Sequence, residues 1–128
     1  MGFSIFGNRI ILTRGDSAEL VLTITNPQTG EPFVPGDDDE VYFTVKKSIR
    51  DKTPVIQKTL DHGIVRHEDS ISILLDPADT ADLSYGIYKY DVELVTASGY
   101  TDTVVPPGLF IITEEVTTHE QSARRYEP

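Results

Sequence analysis

Carboxylates are the groups this chain supplies most freely for chemistry, and they recur in two spacings. Asp37, Asp38, Asp39 and Glu40 are consecutive, while Asp76, Asp79 and Asp82 recur every third residue. Calcium takes roughly six to eight oxygen ligands from a loop that aims alternate groups inward. Consecutive acids point in different directions, and the sequence has no Asp-x-Asp-x-Asp-Gly loop. The expected role of the run is a solvated turn that keeps the following strand from mispairing. The second group would share a face of one helical turn, where capping and solvation account for it. His62 and His67, with Glu68 and Asp69 beside them, could contribute to a zinc site, but two imidazoles need a third ligand nearby. Exposed turn positions explain all four, so no metal is expected.

Gly15-Asp16-Ser17 matches the nucleophile block of GDS-type esterases, whose hydroxyl needs a histidine base oriented by an acid. Such enzymes use an α/β fold and a late Asp-x-x-His pair, whereas the last histidine here, His119, stands in a polar stretch. Arg14-Gly15-Asp16 is also an integrin-type adhesion tripeptide. A Gly-Asp turn between two strands explains both matches. No Gly-rich phosphate loop is present. The sequence therefore predicts a protein that is not an enzyme, with no catalytic residue and no cofactor.

Charge and composition narrow the partners. The 128 residues carry a net charge of -10 and no cysteine, so one domain must hold itself together without disulfides or a Cys-based zinc site. Such an acidic chain is not expected to bind nucleic acid through a general electrostatic footprint. No apolar run approaches the roughly eighteen residues of a membrane span. The start, MGFSIFGNRI, lacks the basic region and small-residue cleavage site of a signal peptide. A soluble protein is expected, with no membrane association and no export by a signal peptide. The charge is uneven: residues 1–36 carry net -1, residues 37–69 net -2 and residues 70–128 net -7. The middle stretch is bipolar, with acids at 37–40 and bases at Lys46, Lys47, Arg50 and Lys52.

The elements that position these residues follow from a two-residue apolar period. Ala18, Leu20, Leu22 and Ile24 alternate with polar neighbours, as do Val41, Phe43 and Val45, then Ile71, Ile73 and Leu75, then Tyr88, Tyr90, Val92 and Leu94. Residues 9–13, 55–60, 101–105 and 109–113 are further strands, rich in β-branched and aromatic types. Turn formers at 15–16, 26–30, 35–36, 61–63, 98–99 and 106–108 separate them. The pattern predicts an all-β, single-domain, immunoglobulin-like antiparallel β-sandwich of about eight strands over residues 9–116. Residues 88–96 and 101–105 make a hairpin, and residues 77–83 one helical turn with Asp76 as cap and Pro77 at its first position. Residues 1–8 form an N-terminal arm and 117–128 a polar C-terminal tail, mobile or shaped into a short helix by Thr118 with Gln121 and Glu120 with Arg124.

Residues 76–94, DPADTADLSYGIYKYDVEL, are the most informative. A turn, then Leu83, then Tyr88 opening a long strand resembles the tyrosine corner of immunoglobulin-like domains, in which a buried phenol bonds backbone a few residues upstream. Tyr88 is the candidate corner residue, and Tyr90 stands where antibody domains place their second cysteine. Plain cross-strand packing of both tyrosines is the alternative.

RIILTRGDSAELVLTIT, VYFTVKK, ISILLDPADTADLSYGIYKYDVEL and TDTVVPPGLFIITEEVT occur in this order between residues 9 and 117. Their order and spacing are similar to those of small phage and prophage proteins resembling the N-terminal domain of the baseplate upper protein of tailed phages infecting Gram-positive bacteria. The resemblance implies a noncatalytic virion structural module of tail or baseplate, acting in assembly or attachment. Its implied partners are other virion proteins or further copies of itself. Its implied location is the virion, or the host bacterial cytoplasm during assembly. Phe3, Ile5 and Phe6 make the arm more apolar than a free terminus needs, so they are candidate contact residues, or else they close their own sheet. The alternative function is a carbohydrate- or surface-binding sandwich, although no Trp is present to build the usual platform.

Overall fold

Alternating apolar residues become alternating buried ones, because successive strand side chains point to opposite faces of a sheet. The computed structural model describes residues 3–6, as backbone, and 8–117. In chain order the elements are β1 (Phe3–Phe6), β2 (Arg9–Thr13), β3 (Ala18–Leu22), β4 (Ile24–Thr25), β5 (Pro32–Phe33), β6 (Glu40–Lys46), β7 (Ile56–Leu60), β8 (Gly63–Arg66), β9 (Ile71–Leu75), α1 (Pro77–Ala81), β10 (Gly86–Val95) and β11 (Thr101–Thr113). The chain is all-β, with one five-residue helix among the described residues. That helix starts at Pro77 after Asp76, whose N–H donates to the Asp79 carboxylate at 2.7 Å.

Among the described residues nine strands form one sheet in the order β1-β2-β11-β10-β6-β7-β8-β9-β3, and β4 pairs with β5 separately. Strands from both ends of that order bury side chains in one cluster: Ile10 and Leu12 from β2, Phe110 from β11, Val92 from β10, Phe43 from β6, and Ile73 and Leu20 from β9 and β3. The sheet therefore curls over a common core. At its centre Phe43, Tyr90 and Phe110 lie with ring centroids 5.8, 6.3 and 6.4 Å apart, in tilted and edge-on geometries.

The sheet is mixed rather than antiparallel, which corrects the sequence expectation. β11 and β2 pair in parallel, from Phe110↔Ile10 to Thr113↔Thr13. Nearly the whole chain separates them, so the long connection that parallel pairing requires is available. β7 and β8 also pair in parallel, over only Thr59↔Gly63 and Leu60↔Ile64. Asp61 (φ 67°) and Gly63 (φ 101°) take left-handed conformations there and step the chain from one half of the sheet to the other.

Two strands, β5 and β8, escaped the sequence pattern. The expected arm carries β1, which pairs with β2 from Phe3↔Leu12 to Phe6↔Arg9, the alternative in which this segment closes its own sheet. Residues 101–113 form one strand where two were expected. Pro106 and Pro107 cannot donate to a ladder, and the pairing with β10 shifts register between Tyr90 and Glu93 to accommodate them. The polar tail at residues 118–128, with its capping box, ion pair and His119, lies outside the described residues.

Candidate functional site

The residues that invited chemical readings are mostly engaged in holding turns. Gly15 adopts φ +83°, and its N–H donates to the buried Thr80 hydroxyl at 2.8 Å, which docks the β2–β3 turn onto α1. Arg14 donates to Glu115 through Nε (3.0 Å) and Nη2 (2.6 Å), donates to the Leu83 carbonyl, and stacks 4.2 Å over the Tyr85 ring. Tyr85 donates to the same Glu115 oxygen at 2.9 Å. The guanidinium of the adhesion-like tripeptide is thus closed within its own molecule. Arg14 and Tyr85 together hold the Glu115 carboxyl below its ordinary pKa, with the Arg14 hydrogen bonds as the main cause.

Asp79 pairs with Lys58 at 2.9 Å, and Asp39 accepts hydrogen bonds from Gly36 N–H (2.7 Å) and Ala97 N–H (2.8 Å). Asp39 therefore ties the acidic turn to the β10–β11 hairpin. His62 lies against the Leu60 carbonyl at 3.4 Å, whereas His67 turns to Ser72. Among the described residues no group of three or more His, Asp or Glu could hold a metal ion.

A Glu19–Ser72–His67 cluster is a constellation that sequence reading passes over, because its members come from β3, β9 and the loop after β8. Ser72 is fully buried, donates to Glu19 at 2.7 Å and lies 2.7 Å from His67 Nε2. The order of contacts is wrong for a nucleophile, whose hydroxyl must point at the imidazole while an acid orients the opposite ring nitrogen. Here the serine proton belongs to the carboxylate. The cluster clips β3, β9 and β8 together.

The tyrosine segment is equally specific. The Tyr88 hydroxyl donates to the Ser84 carbonyl at 2.8 Å, four residues upstream. The Tyr90 hydroxyl donates to the Asn8 carbonyl at 2.6 Å. Asn8 in turn bonds the carbonyls of Pro106 and Pro107, and a Cβ on Gly108 would collide with the Asn8 backbone. Burial raises the Tyr90 pKa. Phe3, Ile5 and Phe6 belong to β1 by backbone, and their side chains lie outside the described residues.

Two outward surfaces remain. On the first, Ile87, Ile111 and Ile11 stand in register across β10, β11 and β2, with Ile87 51% exposed and the other two half-buried. On the second, an open groove of about 420 Å³ runs over β6 and β10 beneath the loop at 47–55, lined by Tyr42, Thr44, Lys46, Ile49, Lys89 and Asp91 among others. A smaller recess continues it past Lys89 to Arg9 and Leu109. Burial raises the Asp91 pKa, and Lys46 opposes that shift without reversing it. Lys46 and Lys89 face each other across β6 and β10.

Among the described residues no helix is long and apolar enough to cross a membrane. No protein-family model and no curated protein matches the chain.

Proposed function

We propose that this protein is a noncatalytic structural module of a phage or prophage particle, an immunoglobulin-like sandwich working in tail or baseplate assembly or attachment through protein–protein contacts. The observation that carries the proposal is the outward row Ile87–Ile111–Ile11, exposed at Ile87 and half-buried at the other two, on a sheet face that lies next to the edge strand β1. Contiguous exposed apolar surface and open strand edges are the features by which a β-domain adds to a neighbour. The order of the four segments between residues 9 and 117 supports the same conclusion. The Tyr88 hydrogen bond to Ser84 supports the finer assignment of an immunoglobulin-like corner. Tyr90, packed on Phe43 and Phe110, acts as an aromatic cross-brace where related domains hold a disulfide.

Mass spectrometry of particles purified from a host that carries the gene tests the proposal. The protein is expected in the particle fraction at a constant ratio to the other tail components. Its absence from particles, while it accumulates in the lysate, would overturn the reading. The second reading, a carbohydrate- or surface-binding module, draws on the groove floor, where Thr44, Gln57 and Asp91 offer hydrogen-bonding groups beside Tyr42. Oligosaccharide binding abolished by Gln57→Ala, together with absence from particles, would select it.

A further inference from the structure

Charge is segregated along β6 and β10. Arg14, Lys58 and Arg66 each have a carboxylate within 4.0 Å, but the other six described cations (Arg9, Lys46, Lys47, Arg50, Lys52 and Lys89) have none among the described residues. Arg9, Lys46, Lys52 and Lys89 line the groove and the recess that continues it, Arg50 lies in the loop above, and Lys47 instead stands 4.5 Å over the Tyr88 ring. Lys46 and Lys89 are direct cross-strand partners, an arrangement of like charges that destabilises a sheet. A chain of net -10 keeps this arrangement at a cost to its own fold. The opposite end of the same two strands is acidic. Asp38 before β6, Glu40 at the start of β6 and Asp102 at the start of β11 are exposed there, and the Asp39–Ala97 hydrogen bond ties the acidic turn to the hairpin that carries Tyr100, 63% exposed. Seven residues of β6, about 20 Å, separate the two ends.

We infer that the basic groove receives the acidic end of a second copy of this chain, with Tyr100 seated against Ile49, so that copies add head to tail. Charge complementarity selects this occupant, because one chain carries both matching surfaces. The contact joins unlike surfaces, so it propagates or closes into a ring unless two copies satisfy both ends at once about a two-fold axis. The inference deepens the assembly reading above by naming the partner, and it fails separately: self-association is measured on the pure protein and particle incorporation in the host.

Sedimentation velocity from micromolar to millimolar concentration tests it. At about 50 mM salt the average mass is expected to rise with concentration above 14.2 kDa, and at about 500 mM salt it should return to the monomer. Lys46→Glu with Lys89→Glu should weaken association at least about tenfold, and Tyr100→Ala should weaken it without altering the charge. Thermal unfolding of each variant as cooperatively as the wild type separates lost contact from lost fold. A chain that remains monomeric throughout, or one that stops at a salt-insensitive dimer, would overturn the inference. So would a monomer that captures a poly-glutamate peptide or a DNA oligonucleotide through the same lysines.

Discussion

Glu115 and Asp91 are carboxylates in the same curled sheet system, yet their surroundings push them in opposite directions. Glu115 accepts two hydrogen bonds from Arg14 and one from Tyr85, and its proton affinity falls. Asp91 lies partly buried on the groove floor, where desolvation outweighs the attraction of Lys46, and its proton affinity rises. At the first corner every charge has a partner in the same molecule. At the second, cations face cations and a carboxylate is held where ionisation is disfavoured. The difference separates charge that builds the fold from charge left for something outside it.

Breaking the satisfied corner should have the larger effect. Arg14→Ala removes the ion pair, the bond to Leu83 and the stacking on Tyr85, and it strands Glu115 at 18% side-chain exposure. A loss of about 2–3 kcal/mol in urea unfolding is expected. Next comes Tyr90→Phe, which keeps the aromatic packing but leaves the Asn8 carbonyl without its donor. About 1–2 kcal/mol should be lost, read as a lower denaturation midpoint at unchanged slope.

The pH dependence sharpens the same contrast. A depressed pKa at Glu115 means that its contribution is complete above the unfolded carboxylate pKa and disappears as pH falls through the lower folded value. Glu115→Gln should therefore flatten the acid limb of the stability profile. Asp91 has the opposite sign: its raised pKa means that stability is lost as pH rises through the carboxylate range. Asp91→Asn should remove that loss, leaving the variant at neutral pH at least as stable as the wild type. The smallest effect belongs to Lys89→Gln, which relieves the repulsion from Lys46 and should raise stability by about a few tenths of a kcal/mol.

How much of this was legible in the sequence depended on the range of the interaction. β2 has the bounds read from its β-branched content, Arg9–Thr13, β9 those read from its alternation, Ile71–Leu75, and the turn of helix begins at Pro77 after Asp76. Local pattern was sufficient for these. It was not sufficient for β8, whose four residues GIVR follow a turn too closely to show a period. Pro106 and Pro107 read as a break, although a register shift absorbs them within one strand. The Glu19–Ser72 bond spans 53 residues and has no local signature. The bipolar run from Asp37 to Lys52 was visible as charge, but the opposition of Lys46 and Lys89 exists only once β6 and β10 are in register.

Whether the two charged ends meet between copies is measured most directly by mixing two blocked variants. Lys46→Glu with Lys89→Glu removes the basic end and leaves the acidic end intact. Asp38→Asn with Asp102→Asn removes the acidic end and leaves the basic end intact. Each alone should sediment as a 14.2 kDa monomer, and the mixture should form a one-to-one pair of twice that mass that grows no further. A mixture that stays monomeric, or either variant associating as strongly alone as the unaltered chain does, would contradict the account.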